Sequence, residues 1–210
     1  MADLFPETIE TDRLRLEALR PGTVDVFELY EVCSSDPAID EITRYLAWDP
    51  HETPRDTLEF VEGVAEQRES HEGGSYLIRP REGDPGAGEI AGIAGFGVDW
   101  ETRTMTLGVW LRKRFWGRGY SGERAAAFMG LAFGRLDLEL VAITAHVDNE
   151  KSNRAIETYT EAHGGGRDGL LRNWRLQDGD PVDVYRYSVS HEEWRESATD
   201  EDVEVTFHDR

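Results

Sequence analysis

The stretch Leu107–Ala127, LGVWLRKRFWGRGYSGERAAA, decides the fold: a strand pattern runs into a glycine-punctuated turn and then into an alanine-rich helix. Arg112, Lys113, Arg114, Arg118 and Arg124 are basic and only Glu123 is acidic, inside a chain of formal net charge −20. Gly117 and Gly119 permit a tight turn and a close backbone approach to a ligand, and Ser121 is placed to cap the helix that follows. The first turn of such a helix offers unpaired amides and the positive end of the helix dipole, which suits a phosphate or diphosphate. An anion-binding turn is the first expectation.

Gly117-x-Gly119-x-x-Gly122 also spells the dinucleotide-binding fingerprint, with Asp137 further along. That fingerprint needs its first glycine directly after a buried strand and its acidic residue at the end of the next one. Here Arg112 to Trp116 intervene, and Asp137 precedes the next apolar run, Val141–Val147. A nicotinamide or flavin site is set aside on both counts.

Arg114-Phe115-Trp116-Gly117-Arg118-Gly119 resembles the (Gln/Arg)-x-x-Gly-x-(Gly/Ala) motif of the GNAT acetyltransferase superfamily. After the strand-like Val141–Val147, Asn149-Glu150-Lys151-Ser152-Asn153 is similar to that family's second signature, Asn-x-x-Ser. The longer string Trp110-Leu111, Phe115 to Ser121 and Glu123, with the opening Thr11-Asp12-Arg13-Leu14-Arg15-Leu16, resembles the branch that includes the ribosomal-protein N-terminal alanine acetyltransferases. The resemblance spans Ile9–Trp194. It implies an α/β (α+β) fold with a mixed, mostly antiparallel central sheet, helices on both faces and a splayed central parallel strand pair. It also implies a bulge in the strand Thr104–Leu111.

Acetyl-coenzyme A (acetyl-CoA) is the implied cosubstrate. By the resemblance, Arg114, Gly117, Arg118, Gly119, Tyr120, Ser121 and Gly122 hold its pyrophosphate, and Val109, Trp110 and Leu111 line its pantetheine arm. Asn149 and Asn153 bond the pantetheine amides or the helix end. The acceptor is a primary amine, either a protein N-terminal α-amine or a small-molecule amine, attacking directly. Ser152 is the preferred general acid, with Tyr159 on the same helical face as the alternative. Relatives often carry a glutamate base where this chain has Thr106 or Thr144. His146, two residues beyond Thr144 and on the same strand face, is one candidate base, and a water chain is the other. Tyr30, Tyr45, Trp48, Arg172, Asn173, Trp174 and Arg186 are candidates for the acceptor side. The family's usual Gly-Phe pair after the second-signature helix is replaced by Tyr159 to Gly166. Two other readings stay open: a catalytically quiet acyl-CoA binding module, and an acidic interaction protein with an incidental glycine turn.

Composition bounds the rest. With 210 residues the chain is read as one domain, 1–196, followed by an acidic tail, 197–210, expected to be mobile or loosely docked. The single cysteine, Cys33, points to a reduced, cytoplasmic setting. No apolar run approaches the ~20 residues of a membrane span. Acidic residues number 43 against 23 basic ones, and only Lys113 and Lys151 are lysine. Such a surface suits a salt-rich cytosol, as in an extreme halophile, or the steering of basic partners. Nucleic acid is disfavoured without a broad basic face. The scattered histidines form no metal pattern, and family habit points to a monomer or homodimer.

Overall fold

The computed structural model describes residues 3–177, 179–198 and 203–209. The alternating run Ile9–Ala18 is divided between two strands, β1 (Thr8–Glu10) and β2 (Leu14–Ala18). Thr11 breaks it, because its amide and its hydroxyl both donate to the Leu14 carbonyl and close a turn. Helix α1 (Val26–Ser34) begins after Thr23 because Asp25 caps it, accepting from the Phe27 amide at 2.8 Å. The segment Ser34–Pro50 contains a short helix, α2 (Ile39–Thr43). Helix α3 (Pro54–Glu69) starts at a capping box closed by Thr53 and Asp56.

Strands β3 (Gly73–Pro80), β4 (Gly92–Asp99) and β5 (Thr104–Leu111) form an antiparallel meander. A 3-10 turn, Lys113–Phe115, leads to α4 (Tyr120–Met129), which continues as a π-helical stretch, Gly130–Arg135. Then come β6 (Leu140–His146), α5 (Glu150–Ala162), β7 (Gly166–Gln177), β8 (Asp180–Ser190), α6 (His191–Ser197) and β9 (Thr206–His208). The strand order is β7-β8-β6-β5-β4-β3-β2-β1-β9, and among the described residues only β5 and β6 pair in parallel.

Apolar side chains on alternate strand positions supply both faces of the sheet. Met105, Leu107, Val141, Ile143, Tyr187 and Val189 pack with Tyr120, Phe128 and Ile156 of α4 and α5. On the opposite face, Leu77 and Ile93 pack with Leu29, Val32 and Val61 of α1 and α3. This mixed, mostly antiparallel sheet with helices on both faces is the architecture expected from the sequence.

One expectation needs correction. The register between β4 and β5 runs without a shift from Asp99↔Thr104 to Gly92↔Leu111, so β5 has no bulge; the irregularities lie in β7, after Arg167 and after Leu171. The tail is docked where it is described. Thr206–His208 pairs with β1 at the sheet edge, Phe207 opposite Ile9, and Arg135 binds Asp209 at 2.7 Å. Residues 199–202 and 210 of that tail lie outside the described residues.

Candidate functional site

The site begins where β5 and β6 part. Their pairing runs only from Thr104↔Leu140 to Leu107↔Ile143, leaving Gly108–Leu111 and Thr144–His146 without each other. The Arg112 amide donates to the Ala91 carbonyl, which extends the β4–β5 ladder. Because N–H and C=O alternate sides along a strand, Val109 and Leu111 turn theirs towards the open gap. The Leu111 carbonyl there accepts from the Trp116 indole at 2.7 Å.

Beyond the gap lies the glycine turn. Gly117 and Gly119 have φ of 73° and 80°, values that demand glycine. Gly119, in place of Ser121, occupies the N-cap of α4, and it supplies no side-chain cap. Ser121 falls inside the first helical turn, because the left-handed Gly119 starts the helix at Tyr120. Among the described residues, the amides of Gly117, Arg118, Gly119, Tyr120 and Ser121 donate to no acceptor, whereas Gly122 and Glu123 bond the Gly119 carbonyl. Consecutive free amides at a helix start form a concave nest for an anion.

The side chains around this nest hold its shape. Glu123, with 5% of its side chain exposed, accepts from the Thr11 hydroxyl at 2.6 Å, the Arg13 amide at 2.8 Å and Arg13 Nε at 2.7 Å. Arg13 Nη1 in turn donates to the Arg118 carbonyl at 2.9 Å, fixing the peptide between the two glycines. This brace was invisible in the sequence; the one acidic residue in a basic stretch was its only trace. The arginines read as anion ligands are turned elsewhere. Arg114 pairs with Glu89, Arg118 donates to the Pro85 carbonyl, and both guanidinium groups lie over the Phe115 ring. Tyr120 is buried, with its hydroxyl donating to Asp84 at 3.1 Å, so its amide alone faces the nest.

The asparagines of α5 are also committed. Asn149 caps α5 by accepting from the Ser152 amide at 3.2 Å. Asn153 donates to the carbonyls of His146 and Val147 and accepts from the Tyr187 hydroxyl. Ser152 is half-buried, and its hydroxyl has no partner among the described residues. Tyr159 lies deeper, against Gly122 of α4, its hydroxyl buried and, among the described residues, without a hydrogen-bond partner. Burial pushes the Tyr159 hydroxyl up and the neighbouring, fully buried Arg124 down from their ordinary values.

On the other side of the gap, residues 39–48 cross both free strand ends. Tyr45 packs on His146 of β6 with ring centroids 5.0 Å apart, and Trp48 packs on Trp110 of β5 at 5.3 Å. Arg175 and Gln177 of β7 hold the carbonyls of Tyr45 and Arg44. His146 Nδ1 accepts from the Asp148 amide at 3.0 Å, which occupies the ring's free lone pair. Of the other acceptor-side candidates, Tyr30 donates to the Glu52 carbonyl and Arg186 pairs with Asp168. Trp174 is exposed on β7. No group of three or more His, Cys, Asp or Glu among the described residues could hold a metal ion, and no described helix is long and apolar enough to cross a membrane.

Comparison with known proteins places these features. The sequence profile of the Acetyltransferase (GNAT) domain matches residues 13–159. YoaA of Bacillus subtilis (strain 168), an uncharacterised N-acetyltransferase, is 27% identical over 187 residues, 89% of this chain and 97% of its own length. Among solved structures, the microcin C7 self-immunity acetyltransferase MccE, in complex with acetyl-CoA and AMP, superposes with a TM-score of 0.73 at 22% identity, covering 85% of this chain and 93% of its own. RimL, the ribosomal L7/L12 α-N-protein acetyltransferase, superposes at 0.70 with 21% identity, covering 87% and 94%. At such identities these two structures establish the fold.

Proposed function

Because the chain belongs to the GNAT acetyltransferase family, we propose that it transfers the acetyl group of acetyl-CoA to a primary amine by direct attack. One observation carries this reading: free amides from Gly117 to Ser121 stand next to the unpaired ends of β5 and β6. The nest suits the coenzyme's diphosphate, and the backbone groups of Val109 and the amide of Leu111 in the gap suit its amide-bearing arm. An N–H in the same row can stabilise the oxyanion formed when the amine attacks the thioester.

Ser152 is the better placed proton donor for the leaving thiolate. It lies in the first turn of α5, its hydroxyl without a partner among the described residues, whereas Tyr159 is sealed against α4 and harder to ionise. The amine's own proton goes to water, since the lone pair of His146 is engaged. An α-amine, with an ordinary pKa of ~7.7–8.0, yields that proton far more readily than a lysine at ~10.4. The ribosomal-protein acetyltransferase among the fold relatives supports a protein N-terminus as acceptor. The acidic surface fits work in concentrated salt, and an unfolding midpoint that does not rise with KCl would contradict that fit.

Release of CoA from acetyl-CoA, measured against a panel of peptides and small amines, tests the activity. Amine-dependent release is expected, and Ser152→Ala should lower kcat about tenfold or more while leaving CoA affinity unchanged. Binding of acetyl-CoA without release for any amine would favour a quiet binding module. Threonine at positions 106 and 144 and the engaged His146 are the observations behind that second reading.

A further inference from the structure

Lys113 and Lys151 are the only lysines of this chain, which uses arginine for every other cationic contact of the Lys/Arg type. They stand on different elements, the turn after β5 and the first turn of α5, yet both end on one carboxylate. Lys113 Nζ lies 2.5 Å from Oε2 of Glu41 on α2, and Lys151 Nζ lies 3.2 Å from Oε1. Lys151 also sits 4.7 Å above the ring of Trp116, the residue immediately before the amide nest. The two ammonium groups hold the Glu41 carboxyl below its ordinary value.

This cluster is built to exchange. Arginine fixes a carboxylate with a rigid planar fork, whereas an ammonium group is a compact charge whose three donors rotate from one partner to another. All three side chains are substantially exposed, so water and salt weaken the pairing. A phosphate, with more charge and more acceptor oxygens than a carboxylate, outcompetes Glu41 for the same donors. Glu41 also starts the segment that carries Tyr45 and Trp48 across the open ends of β5 and β6.

We propose that Lys113 and Lys151 form a phosphate subsite which Glu41 fills in the free protein. A phosphate group of the coenzyme exchanges with Glu41 and loosens residues 39–48 over the acceptor side. The proposal rests on the coenzyme reading above, and the exchange is of ionic partners only, with no covalent step.

Calorimetric titration of the full chain with CoA, in low salt, tests it. Glu41→Gln removes the competing anion and should tighten CoA binding about fivefold. The double variant Lys113→Gln/Lys151→Gln should weaken it about tenfold. Dephospho-CoA, which lacks the 3′-phosphate, identifies the group. If the lysine effect disappears with it, the subsite holds the phosphomonoester; if the effect persists, it holds the diphosphate. Either result supports the exchange. Amide hydrogen exchange in residues 39–48 should quicken when CoA is added to the wild type and be quick from the start in Glu41→Gln. Unchanged or weaker CoA binding by Glu41→Gln, lysine variants that bind like the wild type, or slower exchange in 39–48 on adding CoA would overturn the proposal. Failure of the wild type to take up CoA at all would instead refute the coenzyme reading.

Discussion

Glu123 and Glu41 each hold cations beside the same amide nest, Glu123 with 5% of its side chain exposed and Glu41 with 41%. Glu123 meets the guanidinium fork of Arg13, a backbone amide and a hydroxyl, and every partner belongs to the turn between β1 and β2. Among the described residues the Glu41 carboxylate meets only two flexible ammonium groups, on elements that flank the nest. Burial and geometry make the first contact a permanent part of the fold, because losing a partner there strands polar groups away from water. Exposure makes the second contact cheap to leave. A binding loop with one rigid wall and one exchangeable wall keeps its shape while its mouth changes.

The largest effect should come from breaking the rigid wall. Glu123→Gln removes charge-assisted bonds to Thr11 and Arg13, and we expect it to cost about 2 to 3 kcal/mol of stability by urea denaturation. Glu41→Gln should leave the urea midpoint where it is. Equal midpoint losses in the two variants would erase the distinction between the walls.

A second, smaller effect separates the two glycines. Both have positive φ, so alanine is strained by roughly 1 to 2 kcal/mol at either. A Cβ on Gly119 would also lie 3.3 Å from Arg13 Nη2, whereas one on Gly117 meets nothing. CoA affinity should therefore fall further in Gly119→Ala than in Gly117→Ala, and the reverse order would show that the brace does not shape the nest.

The smallest effect concerns pH at the far end of the crossing segment. His51 packs on Trp48 and accepts or donates at the Thr57 hydroxyl, and its burial lowers its pKa from the ordinary value. Its unfolded form therefore binds a proton that the folded form resists, and stability falls as pH drops below about 6.5. His51→Phe should flatten that part of the stability profile. An unchanged profile would assign the acid sensitivity to other groups.

The parts of this molecule that were legible in its sequence are those governed by local chemistry. Gly117 and Gly119 announced a tight turn, because such a turn depends on residues a few positions apart. The brace was not legible, since Arg13 and Glu123 are 110 residues apart and meet only in the folded chain. The contacts of the arginines were hidden for a related reason: charge near a turn says nothing of where a long side chain goes, and Arg114 and Arg118 lie back on the loop before β4. Asn149 and Asn153 carried a ligand-binding pattern, yet the Asn149 side chain caps α5 and that of Asn153 joins α5 to β6 and β8. The short α2 lacked a capping side chain and enough turns for a periodic signal.

The claim on which the rest depends is that the amides of Gly117 to Ser121 receive the coenzyme's diphosphate. Titrating ¹⁵N-labelled protein with CoA and following each amide resonance tests it directly. Large shifts concentrated on residues 117–121, absent when pantetheine replaces CoA, are the expected result. Saturable CoA binding that leaves those five resonances unmoved would contradict it.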